Sequence, residues 1–496
     1  MRHLDGRTVR EDLSREVDVV VVGSGPAGAS AARAAARAGA RVLVLEAGPW
    51  VHPEAFPLSA FASMAGYYRG MGATVVAGAA PFPLVQGRMV GGSSPINGAI
   101  CWRLPRDVYD GWVSADEALA DALPWEELER LTDEVEARLG VAPTAPEVAG
   151  RKNQLMAIGA EALGLAHRPI RRNVRGCEGS GRCMQGCPRG AKQSVDRTLL
   201  QDALDDGAAL LSSAEVHTIV HAGGRATGVI ARADGGGRVT VRADRAVILA
   251  ASAIQSPSLL LANRLRHGPV GRGLQCHPGV SMAGHFPEPV RMWEGATQGH
   301  EVIGLRHEGL KFEVLGFGLA VLAGRLPGAG ASLAHQIDRM DHALDWGAAI
   351  RAEARGRVRR VLGRTLVTYR PTARDLHLFR RGLRVMGEMM LAAGATHVSP
   401  GVKGYDARVH SVTDLVRLEE HGPRRASAYT AAITHMFGTC RMGSDPARSV
   451  VDTDFQHHAL PGLYIADSSV FPTSLGVNPQ IPIMAMAALC GRRAVS

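Results

Sequence analysis

Three features of this 496-residue sequence predict an α/β fold. The first is a strand–helix–strand pattern in residues 16–48, EVDVVVVGSGPAGASAARAAARAGARVLVLEAG. The second is size, because 496 residues at 46% apolar content are enough for two or three domains. The third is an alternation of short strands and helices through residues 281–444, which suits an antiparallel sheet backed by helices. Charged residues make up 21%, which excludes a largely disordered chain.

Taken in order, residues 18–22 are an apolar run of strand length, residues 25–40 an Ala-rich helix, and residues 41–46 a second strand ending on an acid. Gly23-x-Gly25-x-x-Gly28 falls at the first strand-to-helix turn. Gly23 permits the tight turn, Gly25 lets backbone approach a pyrophosphate, and Gly28 lets helix and strand pack closely. The helix N-terminus then offers free N–H groups and the positive end of its dipole to phosphates. Glu46 is placed to accept from ribose hydroxyls, and an acid there disfavours a 2′-phosphate. NADP is therefore disfavoured, while FAD and NAD both remain open on this motif.

Net charge is +9, spread along the chain, and only four of the 56 basic residues are Lys. The densest basic stretch, RGRVRR at 355–360, runs into VLGRTLVTYRP and reads as two strands around a tight turn, not as a nucleic-acid surface. The longest nearly unbroken apolar stretch, residues 481–490, is too short to span a bilayer. The polar N-terminal residues lack the apolar core of a secretory signal, so a cytoplasmic location is expected. Asp375 to Ala392 has helical periodicity, and its Met residues are expected in a core. RADGGGRVTV reads as a hairpin tip at Gly235–Gly237.

Seven Cys in this length exclude a disulfide scaffold. Cys177, Cys183 and Cys187 nevertheless sit within GCEGSGRCMQGCPRGAKQS. Thiolates are soft ligands, so an iron–sulfur centre, zinc, or a tight loop of buried reduced thiols are all open. Zinc would want a fourth ligand, and none is adjacent.

Three further segments resemble the glucose–methanol–choline (GMC) oxidoreductase family. GRMVGGSSPINGAI (87–100) is similar to its first signature, in which a Gly-Gly-Ser-Ser loop passes the flavin and pyrophosphate. This resemblance assigns Gly91, Gly92, Ser93, Ser94 and Asn97 to cofactor binding. AVILAASAIQSPSLLL (246–261) resembles the second signature. Val216 resembles the strand Val whose backbone meets the adenine. The third segment, 434–487, begins THMFGTCRMG and includes GLYIADSSVFPTSLGVNPQIPIMAMA. In it, His435 and Asn478 match the family's catalytic pair, and Asp467 resembles the Asp near the ribityl and phosphate groups. Pro479 would start a final helix aimed at the flavin. Some members tether the flavin to a His in the first-signature loop; Ile96 stands there, so the resemblance implies non-covalent FAD. The Cys loop is similar to that of cluster-bearing sugar dehydrogenases, in which three Cys hold an iron–sulfur cluster, and also to that of long-chain-alcohol and cholesterol-oxidase-like members without one.

The resemblance implies a discontinuous Rossmann-like FAD-binding domain (15–50, 84–110, 195–280, 445–496) interleaved with an α+β substrate domain (51–83, 111–194, 281–444). It also implies oxidation of an alcohol CH–OH, sugar, sterol-like or long-chain. Hydride would pass to flavin N5, with His435 as general base and Asn478 orienting the substrate oxygen. Reduced flavin would pass its electrons to O2, a quinone-like compound or a protein. An NAD-dependent dehydrogenase, or an electron-transfer subunit with an idle His–Asn pair, are the alternatives.

Overall fold

The computed structural model describes residues 2–323, 326 and 328–496. Two sheets organise them. The first has eight strands in the order His3–Asp5, Ala209–Ser212, Val42–Leu45, Leu13–Val22, Arg238–Leu249, Arg225–Ala233 and Ala214–Ala222, with Leu463–Ile465 also on Arg238–Leu249. Its central pairs are parallel. Val19 to Val22 and Val42 to Leu45 are buried on both faces, as a covered parallel sheet requires, so these strands are unbroken apolar runs. The 225–249 hairpin turns where its glycines were expected.

Pro26–Arg37 packs on this sheet and against the C-terminal helix Gln480–Arg493. Both helices carry small residues because the approach is close: a Cβ on Gly491 would lie 2.4 Å from the Ala31 carbonyl oxygen. The Ser30 hydroxyl donates to the Met484 carbonyl across this contact. Pro479 caps the last helix, which begins at Gln480, one position after the start expected for it.

The second sheet is largely antiparallel and has eleven strands, with Arg272–His285 at its centre and Ala343–Ile350, Leu310–Leu315 and Ala431–Phe437 among its members. The helix Ala373–Ala392 lies over it, started by a capping box in which Thr372 and Asp375 satisfy each other's backbone N–H groups. Its methionines Met386, Met389 and Met390 are buried in that core, as expected. Gly356–Val361 and Arg364–Tyr369 form the hairpin read from the basic stretch. Leu319–Ala323 is helical, and Gly324, within the stretch 281–444 read as short strands and helices, lies outside the described residues.

Two features bear on the expected division into domains. Arg272–His285 is one continuous strand of the second sheet, so a division at 280 would cut it. The helices Arg106–Ala115 and Trp125–Leu139 bury Val108, Trp112, Leu128, Leu131 and Val135 in the core of the first sheet, not of the second. Among the described residues, no helix is long and apolar enough to cross a membrane.

Candidate active site

A cavity of about 1170 Å³ is lined by residues of both sheets. Its lining includes Gly23, Gly25, Glu46, Gly92, Ser93, Ser94, Asn97, Val216, Asp467 and Pro479, together with His435 and Asn478. Gly28 and Gly91 do not line it. Gly28 is a packing position, where a Cβ would lie 1.8 Å from the Gly23 carbonyl oxygen. Gly91 has φ +90 and donates its N–H to the Ser24 hydroxyl.

The lining suits a flavin dinucleotide. Gly25 and Gly92 approach so closely that a Cβ on Gly92 would lie 2.8 Å from Gly25 Cα, so bare backbone meets the space. The helices Pro26–Arg37 and Gln480–Arg493 both start at the cavity without a side-chain cap, leaving N–H groups for an anionic ligand. The buried Gln86, also in the wall, leaves its Oε1 without a partner.

Several side chains assigned to the cofactor also brace the wall. Glu46 accepts from Ser24 N–H at 3.0 Å, Ser24 Oγ at 2.7 Å and Gly48 N–H at 2.8 Å, clamping the glycine turn. Burial pushes its carboxyl above the usual range despite these bonds. Asn97 donates to Gln480 Oε1 and accepts from Ala99 N–H, tying the loop to the last helix. Asp467 accepts from the N–H of Ser252 at 3.0 Å and of Ser469 at 2.9 Å, and from the Ser256 hydroxyl. It therefore joins the second signature to the third.

His435 stands on Ala431–Phe437, paired to Arg272–His285. The register shifts between Cys276 and Pro278, because proline has no N–H for the ladder. At this irregularity His277 meets His435 with Nδ1 atoms 3.3 Å apart, and the Gly476 N–H donates to His277 Nε2 at 2.8 Å. Burial lowers the pKa of His435 to about 4, with Glu313 raising it and Lys311 lowering it further. Burial and His435 also hold His277 well below the usual histidine range. Both rings are uncharged at neutral pH.

Asn478 is oriented by a residue that motif reading missed. Lys311, 1% exposed, donates from Nζ to Asn478 Oδ1 at 2.9 Å, to Glu301 at 2.8 Å and to Glu313. An ammonium group only donates, so the amide oxygen faces Lys311 and Asn478 offers its Nδ2 hydrogens to other groups. Burial alone would lower the Lys311 pKa, but the two carboxylates hold it above the usual value. Glu301 also accepts from Trp102 Nε1 and Arg168 Nε, and Glu313 from Gln298 Nε2. Lys311 and Glu313 are two apart on one strand, hence on one face of it. That pair of opposite charges in LKFEVL was the available signal.

Cys177, Cys183 and Cys187 surround a separate cavity of about 10 Å³. Arg172, fully buried, places Nη2 3.5 Å from Cys183 Sγ and Nη1 3.9 Å from Cys177 Sγ. Lys192 donates to the carbonyls of Pro95, Asn97 and Cys183, each at 2.7 Å. Burial pushes the Cys183 thiol up, yet Lys192 and Arg172 outweigh it and bring the thiol below its usual value. Burial brings Lys152 and Lys192 down to about 8. Among the described residues, no three His, Cys, Asp or Glu side chains are grouped to hold a metal ion.

Family patterns described as GMC oxidoreductase match residues 64–279 and 352–487, and one described as FAD dependent oxidoreductase matches 18–51. An uncharacterized GMC-type oxidoreductase of Mycobacterium tuberculosis is 37% identical over 95% of this chain and 74% of its own. A long-chain-alcohol oxidase of Arabidopsis thaliana is 30% identical over 95% of this chain and 66% of its own. Among solved structures, pyridoxine 4-oxidase from Mesorbium loti shares the fold, with a TM-score of 0.69, 20% identity and coverage of 96% and 98% of the two chains. With family patterns matching most of its length and a relative of this identity, the chain belongs to the GMC oxidoreductase family, an FAD-dependent oxidoreductase.

Proposed function

We propose that this enzyme oxidises the CH–OH carbon of an apolar, long-chain or sterol-like alcohol, with non-covalent FAD as the immediate electron acceptor. The observation that carries the reading is that His435 and Asn478, far apart in the chain, line the same cavity as the Gly-Gly-Ser-Ser loop and the glycine turn. When bound there, FAD supplies the two-electron sink for the hydride leaving the carbon. Gly23, Gly25, Gly92, Ser93, Ser94, Asn97, Glu46, Val216 and Asp467 form the wall that would hold it; Ile96 offers no covalent attachment. Asn478 donates from Nδ2 to the substrate oxygen. His435, uncharged, is the group that takes the hydroxyl proton.

Val280, Leu315, Phe317 and Met436 lie in the wall of this cavity, which favours an apolar chain over a sugar. The long-chain-alcohol oxidase among the relatives supports the same class. The cysteine loop does not fit an iron–sulfur cluster: its cavity of about 10 Å³ is too small, and the buried Arg172 guanidinium lies against the Cys177 and Cys183 sulfurs. It reads as a tight loop of reduced thiols, and no electron step runs through it.

Purified protein should be yellow and free of iron and zinc. Under argon, dodecanol or cholesterol should bleach the flavin band and glucose should not. Air, a quinone or a redox protein would then restore the band and identify the acceptor. A colourless protein, or a band no alcohol bleaches, would overturn the reading.

A further inference from the structure

We propose that His277 is a positioning residue that sets which nitrogen of His435 carries the ring hydrogen, and so whether His435 meets an oxygen as donor or acceptor. This deepens the reading above, on which His435 engages the substrate oxygen. The Gly476 N–H points at His277 Nε2 at 2.8 Å, and a backbone N–H can only donate, so that nitrogen is bare. A neutral imidazole has one ring hydrogen, which for His277 is then on Nδ1. Its Nδ1 lies 3.3 Å from His435 Nδ1, which must accept. Neutral His435 therefore carries its hydrogen on Nε2. Burial keeps both rings uncharged, with Glu313, Lys311 and Arg351 the charged groups that act on them.

In this resting arrangement His435 is a donor, as Asn478 is through Nδ2. Two donors hold an oxygen by its lone pairs, an arrangement complementary to an alkoxide or carbonyl more than to a hydroxyl that must give up its proton. To take that proton at Nε2, His435 must first hold its hydrogen on Nδ1. His277 must then accept at Nδ1 and carry its own hydrogen on Nε2, facing the Gly476 N–H, and that link opens. The shared hydrogen passes from His277 Nδ1 to His435 Nδ1, water in the cavity that both rings line takes the hydrogen of His435 Nε2, and water returns one to His277 Nε2, so both rings are neutral before and after. When the alcohol then reacts, its O–H bond breaks, an N–H forms at His435 Nε2, and the imidazolium is stabilised by Glu313, whose charge already favours it. Gly476 is two residues before Asn478, so the segment bearing one oxygen-binding group is tied to the tautomer of the other.

Nitrogen NMR of the FAD-bound protein, labelled at histidine, reads this directly. His435 should show the Nε2–H tautomer, with a coupling between its Nδ1 and that of His277 across the shared hydrogen. His277→Gln keeps an N–H donor and should keep the His435 signals in place. His277→Leu removes it and should shift them toward the Nδ1–H form. Finding His435 as Nδ1–H in the wild-type protein overturns the proposal, as does an unmoved tautomer in the Leu variant. Should the Leu variant fail to fold, the wild-type coupling decides: present, it supports the proposal; absent, it refutes it. These signals do not depend on which alcohol is oxidised, so they separate this proposal from the bleaching experiment.

Discussion

Replacing His435 by alanine should lower the rate of flavin bleaching by alcohol by about 10²- to 10⁴-fold, the usual contribution of a placed base. The protein should stay yellow. The cavity parts suited to the dinucleotide are the glycine turn and the Gly-Gly-Ser-Ser loop, and His435 braces neither. Its polar contact within the protein is with His277. Stopped-flow bleaching at saturating alcohol, beside the visible spectrum of the same sample, separates loss of chemistry from loss of cofactor. Asn478→Ala should lose less, because the base remains. A His435→Ala enzyme bleached at the wild-type rate would remove His435 from the reaction.

Lys311→Met should destabilise the fold by about 3–5 kcal/mol, the range seen when one partner of a buried ion pair is deleted. Met fills a similar volume, so the loss comes from charge: Glu301 and Glu313 are left buried without their shared cation. Arg168 and Trp102 still reach Glu301, and Gln298 still reaches Glu313, but none of them replaces an ammonium lying between the two. Urea unfolding of the FAD-bound enzyme measures the loss. Combining Lys311→Met with Glu301→Gln and Glu313→Gln should recover most of it, because the stranded charges go too. The triple variant should nonetheless stay slow with alcohol, since nothing then fixes which way the Asn478 amide points. Full activity in the triple variant would mean that Lys311 does not orient Asn478.

What the sequence revealed about this site follows from how local each signal is. The glycine turn was legible because one strand, one helix and the turn between them are contiguous, and each glycine answers a steric demand within that stretch. His435 and Asn478 were legible through resemblance, since each sits in a distinctive short motif. Glu301 and His277 were not, and Lys311 showed only as half of an opposite-charge pair with Glu313 two residues on. Each is a single residue on a different strand of the second sheet, and pairing across a sheet leaves no trace in the spacing of either strand. The expected boundary at 280 falls inside a strand for a related reason: 195–280 holds the second-signature segment, but Arg272–His285 belongs wholly to the second sheet, and nothing in the local spacing marks where it begins. Asp467 shows the converse limit. Its motif marked it for the cofactor, yet its oxygens also hold together two parts of the chain, a duty visible only in three dimensions.

The scarcity of lysine has a practical corollary. Of the four, Lys152, Lys192 and Lys311 are sealed inside, and Lys403 alone is exposed, at the rim of the large cavity. Apart from the amino terminus, an amine-reactive fluorophore would thus attach at one address beside the entrance, reporting on what enters without any engineered cysteine.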